Sequence, residues 1–393
     1  MIDPSSEPWR FGVLFSQTGV TATVERTQLN GTILAAEAIN ANGGIRGRSV
    51  ELVTYDPQST PKTFQRLAER LLSKDRVRLI FGCYMSSTRK AVLPVVEEYR
   101  ALLLYPTLYE GFEYSPNCIY TGSAPNQNSQ PLAKYLFENH GRRIFFVGSN
   151  YVYPYETNRI MADLTLQAGG IVVDEIYVPL DARRADFDRT IRDIARLRPD
   201  IIFSTVVGRA TSIFYEAYHH AGFDPAVMPI ASLTTSEAEI TEMAPAAAAG
   251  HISAAPFFSE LGTPAAAAFV TAFRARFGDD APVTAGAEAA YFQLRLIANA
   301  IERTGSDEPE QVRAMLGRLN FDAPQGRITV DTETNHTFLW PRVAKIDHLG
   351  RFRVVWDPGL RVRPDPYCVD QTLDSWSEPT AIHAGRRTPA RVM

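Results

Sequence analysis

Two apolar runs in this chain end in residues able to bond a small molecule. "LIFG" at 79–82 passes into "CYMSS", and "LLLY" at 102–105 passes into "PTLYEG". A strand buried on both faces needs neither a hydroxyl nor a phenol at its tip. Tyr84, Ser86, Tyr105 and Thr107 are therefore candidates for a site. Ser86 opens a helical stretch, "SSTRKAV", and a helix start offers unpaired N–H groups and a positive dipole end, which suit an anion or a carbonyl oxygen. The plainer alternative is that Ser86 or Ser87 is only an N-cap. Pro106 favours an extended Tyr105. Further tyrosines crowd a later strand end in "NYVYPY", of which Tyr151 and Tyr153 would face the first group, and Val207 and Thr234 follow two later strands. Small apolar tails need an aromatic wall, and phenol hydroxyls can close such a pocket.

These tips must be positioned by strands. Over the first 250 residues, short apolar runs alternate with helical spacing: strand 11–16, helix 25–42 closed by Gly43-Gly44, strand 50–56, helix 61–75 opened by Pro61, and so on through strand "IIFSTVVG" and "MPIASLTTS". Pro94 should bend or restart its helix. Such alternation predicts parallel sheets covered by helices on both faces. Beyond 260 the rhythm breaks into helices 264–277, 284–304 and 308–319, then strand-like "GRITV", "FLWPRVAKIDHLG" and "RFRVVWD", with a hairpin turn at "HLGRF". So many strands fit two doubly wound domains better than one sheet. Ligands then bind outside the carboxyl ends of the strands.

With 393 residues, 45% hydrophobic and 21% charged, the chain reads as an ordinary globular protein of two domains. A net charge of −4 gives no footprint for nucleic acid. The basic end "HAGRRTPARVM" reads as a loose tail. Three cysteines make no disulfide framework, and Cys83 and Cys118 read as small buried residues. No run is long enough to span a bilayer, and the N-terminus lacks the pattern of a signal peptide, so the expected location is cytoplasmic. None of the common catalytic or nucleotide-binding motifs is present. Cys83 has no histidine near it among the strand tips to act as a base. His219 and His220 are adjacent and make a poor metal pair. The reading is of a non-enzyme without cofactor or metal.

"AAEAINANGGIRGRSVELVTYD" resembles the signature of the type I periplasmic-binding-protein fold. A larger resemblance, from about residue 10 to 376, is to one branch: the amide-sensing negative regulators of bacterial aliphatic amidase operons. It rests on "LFSQTGVTA", "GCYMSSTRKAV", "YPTLYEGFEYSPN", "APNQNS", "IFSTVVG", "ASLTTSEAE", "DAPQG" and "RPDPY". A cousin, the urea-binding component of an ABC transporter, shares "SRKAVLP"- and "YEG"-like blocks. The resemblance implies an α/β type I periplasmic-binding-protein fold, two doubly wound domains joined by a three-crossing hinge. The domains would be 8–121 plus 254–330 and 122–253 plus 331–376, with crossings near 121–125, 250–256 and 328–336 and a tail at 377–393.

It implies a cytoplasmic sensor of a small neutral amide or urea-like ligand that restrains an RNA-binding antitermination partner, itself touching neither nucleic acid nor membrane; a homodimer stays open. The alternative is the solute-binding component of a urea or short-amide transporter. Ser86 would bind the amide, whose oxygen takes hydroxyl or backbone donors and whose NH2 takes carbonyls. The regulator's loop runs Tyr-Pro-Thr-Pro-Tyr where this chain has Leu108, which could narrow the pocket. Glu110 is expected as a surface-loop acid, and Glu237 as the acid of a capping box begun by Thr234.

Overall fold

The computed structural model describes residues 7–369. The tail expected at 377–393 lies outside the described residues. The first sheet holds five parallel strands: β1 (Trp9–Leu14), β2 (Val50–Tyr55), β3 (Leu79–Gly82), β4 (Leu102–Tyr105) and β5 (Cys118–Tyr120), in the order β2-β1-β3-β4-β5. The second holds seven. β6 (Arg143–Ser149), β7 (Ile171–Val178), β8 (Ile201–Thr205), β9 (Ile230–Ser232) and β10 (Ile252–Ala255) are parallel to one another. A small hairpin, β11 (Phe321–Ala323) with β12 (Gly326–Ile328), stands apart. The antiparallel pair β13 (Arg342–Ile346) and β14 (Phe352–Trp356) then completes the second sheet, ordered β14-β13-β10-β9-β8-β6-β7. The turn expected at "HLGRF" joins β13 to β14.

The strands are near-continuous apolar runs because helices cover both faces. Phe11, Leu79, Phe81 and Leu104 pack with Phe292 and Ile297 of the helix Ala285–Thr304. On the other face the same sheet packs the helices Pro61–Ser73 and Ser86–Glu98 through Leu67, Leu71, Val92 and Val96. Pro94 does not interrupt the second of these helices. In the second sheet, Phe145, Ile202 and Ile230 pack with Phe214 and Tyr215 of the helix Arg209–His220. The first helix starts at Ala22, earlier than the expected 25–42.

The chain passes between the sheets three times. It leaves β5 for the helix Pro125–Asn139, and it leaves β10 for the helix Pro264–Phe277, whose partners belong with the first sheet. It stays with the first sheet through His336, later than the 328–336 crossing expected. The Tyr120 amide donates to Asn335 O at 2.9 Å, and the Thr337 amide to Tyr120 O at 3.1 Å. Only Arg342 opens β13.

Candidate functional site

The carboxyl ends of β3 and β4 lie side by side, since Phe81 pairs with Leu104. Beyond β3 the chain turns through Cys83, whose φ is +71°, an uncommon value for a residue with a side chain. That turn sets Tyr84 and Met85 ahead of the helix Ser86–Glu98. The Tyr105 hydroxyl donates to Tyr84 O at 2.7 Å, and the Thr107 hydroxyl donates to Cys83 O at 3.3 Å. The two tips are thus tied together.

Facing them are the ends of β6 and β9. Tyr84, Ser86, Thr107 and Leu108 of the first domain close a small cavity with Tyr151, Tyr153 and Thr234 of the second. Six of the eight residues singled out from sequence meet there. Tyr105 does not line the cavity; it is fully buried behind it and holds Tyr84 in place. Val207 packs with Val24, Tyr84 and Met85 in an apolar contact between the domains. The Tyr153 hydroxyl is buried with no hydrogen-bond partner among the described residues. Burial pushes the Tyr84 and Tyr151 phenols well above their usual range, so both act as neutral groups. Burial likewise pushes the Cys83 thiol up, which keeps it protonated.

A charged network that sequence reasoning missed lies beneath the cavity. Arg89 is fully buried, one turn after Ser86. Its guanidinium reaches Glu113 at 2.6 Å and Glu110 at 3.2 Å, and donates to Ser86 Oγ at 3.1 Å. The Tyr105 and Tyr109 rings flank it at 4.7 Å. Glu110 is not a surface acid: it is 2% exposed and accepts the Ser86 hydroxyl proton. Lys90 also contacts Glu113 at 2.8 Å, and the Tyr120 hydroxyl donates to it at 3.0 Å. Burial pushes the Glu113 carboxyl up, but Arg89 and Lys90 outweigh it and hold it down at about 2. The charges next to the cavity are therefore paired with one another.

The cleft is closed. The Arg209 amide donates to Val20 O at 3.3 Å, and Thr23 Oγ1 to Glu242 Oε1 at 2.5 Å, each from one domain to the other. Gly208 makes this approach feasible: its φ is +62°, and a Cβ there would stand 2.2 Å from Val20 O. The capping box expected of Thr234 and Glu237 sits two residues later. Ser236 accepts from the Ala238 amide, and Glu239 accepts from the Ser236 amide. Thr234 instead donates to Val206 O at 2.9 Å, and Glu237 accepts from the Ser259 amide. Among the described residues no three His, Cys, Asp or Glu side chains gather as a metal site, and no helix is long and apolar enough to cross a membrane.

The family model described as a periplasmic binding protein domain matches residues 9–373. A leucine-, isoleucine-, valine-, threonine- and alanine-binding protein of Pseudomonas aeruginosa is 25% identical over 317 residues, covering 80% of this chain and 83% of that protein. A Leu/Ile/Val-binding protein homolog of Brucella suis is 24% identical over 333 residues, covering 80% and 84%. Among solved structures, a solute binding protein of an ABC transporter from Rhodopseudomonas palustris, in complex with p-hydroxybenzoic acid, superposes with TM-score 0.82 at 22% identity, covering 93% of this chain and all of that one. A branched-chain amino acid transporter substrate binding protein from Streptococcus pneumoniae, in complex with isoleucine, gives 0.78 at 18%, covering 89% and 99%. These structures share the type I periplasmic-binding-protein fold with this chain.

Proposed function

The chain belongs to the periplasmic binding protein family, and from that premise we propose that it is the solute-capturing component of an ABC transporter, closing around a small neutral amide or urea-like solute. The observation that carries the neutral ligand is the pairing of Arg89 with Glu110 and Glu113. The guanidinium beside this cavity is spent on two acids of the chain, and the Ser86, Thr107 and Thr234 hydroxyls spend their protons inside the protein, so a ligand carboxylate would have to rest on the backbone N–H groups at the helix start. The two superposed structures hold an aromatic acid and an amino acid, and both ligands carry a carboxylate. On this reading the protein works where solutes arrive for import, rather than in the cytoplasm as its N-terminus suggested. The relatives it matches over most of its length are binding proteins, and the reading is of capture without catalysis.

A thermal-shift panel of acetamide, propionamide, butyramide, formamide, urea, leucine and benzoate tests the reading. A ligand at about a hundred times its Kd adds roughly 2.7 kcal/mol. Amides or urea should stabilise. Stabilisation by leucine or benzoate alone would sink the neutral-solute proposal.

A second reading, the amide-responsive regulator of an antitermination factor, is favoured by one observation: the blocks "GCYMSS" and "YPTLYEG", which carry that resemblance, form the first-domain wall of the cavity. It requires that amide weaken a complex with an RNA-binding partner, because coupling between two ligands is reciprocal. A pull-down indifferent to saturating amide excludes it.

A further inference from the structure

A second cavity, larger than the first, lies on the hinge side of the cleft. Tyr84, Thr107, Leu108 and Thr234 line both cavities and so form the partition between them. The rest of the hinge-side wall is mostly apolar, with Val24, Leu233, Phe257, Phe258 and Ala289 among its residues.

One polar atom in this wall is unpaired. Gln28 is fully buried, and its Oε1 has no hydrogen-bond partner among the described residues. The amide is oriented by the bonds of its neighbour. The Thr107 hydroxyl spends its proton on Cys83 O, so it can only accept from Gln28 Nε2, at 2.8 Å. Oε1 is thereby left without a donor. The helix Ala285–Thr304 closes in on the same amide, and a Cβ on Gly286 would stand 3.0 Å from Nε2. The carboxyl on this wall, Glu237, is pushed up to about 7 by burial and offers an anion no positive charge. An unpaired buried acceptor in an apolar chamber asks for a ligand that brings one donor and little other polarity.

We infer that the hinge-side chamber is a second binding site, separate from the amide cavity, for a neutral, mostly apolar, ring-sized molecule that gives one N–H or O–H to Gln28 Oε1. Because this chamber lies at the chain crossings near Thr121–Ser123 and Ala254–Phe258, an occupant there contacts both domains.

Calorimetric titration with phenol, indole and benzene tests this in the absence of any amide. Phenol and indole should bind, and benzene, lacking the donor, should bind roughly 2- to 10-fold more weakly, the share of one hydrogen bond. Gln28→Leu should erase the preference for phenol over benzene. Ala289→Leu fills the chamber and should abolish binding of all three, while Ser86→Ala, in the other cavity, should leave phenol binding in place. Thermal melts confirm folding of each variant, and if Ala289→Leu does not fold, the Gln28→Leu comparison decides. The inference is overturned if no probe binds at millimolar concentration, if phenol binding survives Ala289→Leu, or if a crystal soaked in phenol shows only water on Gln28 Oε1. Failure here leaves the amide reading standing, because the amide panel reports on the other cavity.

Discussion

Replacing Arg89 by methionine probes the ground on which the cavity stands. The side chain has 0% exposure and is shared by Glu110, Glu113 and Ser86. Methionine keeps most of the volume between the Tyr105 and Tyr109 rings but leaves two largely buried carboxylates without their principal partner. Breaking a buried ion pair from one side costs about 3–5 kcal/mol. A second route gives a similar figure: a carboxyl held at about 2 instead of 4.5 is worth about 3 kcal/mol at neutral pH. Because the folded value of Glu113 is depressed, its contribution is present above pH 4.5 and is lost as pH falls toward 2. By pH 3.5 about 1 kcal/mol of it has gone. Urea unfolding followed by circular dichroism should therefore show Arg89→Met about 3–5 kcal/mol less stable than wild type at pH 7, with a smaller gap at pH 3.5. Adding Glu110→Gln and Glu113→Gln to the variant should recover a large part of the loss, since neutral amides no longer need the guanidinium. A loss under about 1 kcal/mol at pH 7 would refute the reasoning, because exposed pairs give that little. So would a gap that does not narrow with acid.

Glu288, pushed up to about 8 by burial against its bonds from Gln325, runs the opposite way. Its raised value penalises the fold increasingly from pH 4.5 to 8, so Glu288→Gln should flatten the fall in melting temperature over that range; parallel curves would contradict this. Gly208→Ala should prop the cleft open, because its Cβ would meet Val20 O at 2.2 Å. The scattering radius should rise and the affinity for the stabilising solute fall roughly 5- to 150-fold, and an unchanged radius with unchanged affinity would rule out closure through this contact. Leu108→Ala should enlarge the cavity and raise butyramide relative to acetamide, at about 1–3 kcal/mol per methylene; a ranking that stays put would mean Leu108 does not limit the ligand.

The strand tips were legible because a hydroxyl or phenol at the end of a fully apolar strand conflicts with plain packing, and Tyr84, Ser86 and Thr107 show that conflict within two short stretches. Alternation of strand and helix was legible for the same reason that the sheets exist: parallel strands are buried on both faces and read as unbroken apolar runs. Arg89 was not legible. It follows Ser86 by three positions on a helix that also carries the exposed Lys90, Glu97 and Glu98, and nothing local separates a buried arginine from a solvated one. Its burial depends on Glu110 and Glu113, which come from a loop that turns back through Gly111 at φ +80° and Phe112 at φ +56°. Gln28 was hidden in the same way, since its partner Thr107 lies 79 residues further on. The late third crossing was hidden too, because it rests on single backbone bonds between Tyr120 and the 335–337 segment, with no apolar pattern to announce them.

Once the bonds are traced, the hydroxyls of the cavity point to a particular kind of solute. Ser86 donates to Glu110, Thr107 to Cys83 O, and Thr234 to Val206 O at 2.9 Å. Each proton is spent inside the protein, and a hydroxyl has only one to give. What these groups retain for a ligand is lone pairs. Ser86 was expected to donate to a ligand carbonyl; in this arrangement it offers an acceptor instead, and donors must come from the amides at the start of its helix and from the tyrosine hydroxyls. A wall rich in acceptors selects a solute rich in N–H groups. Acetamide brings two such hydrogens and urea four. N,N-dimethylacetamide keeps the carbonyl and has none. Urea and acetamide should therefore bind, whereas dimethylacetamide should lose at least the 1–3 kcal/mol that each unmet buried acceptor costs, beyond any effect of its size. Acetone, close to acetamide in shape but without N–H, separates the two causes. Calorimetry showing acetone equal to acetamide would mean that the wall donates rather than accepts, and that Ser86 is free of Glu110 when the solute is bound.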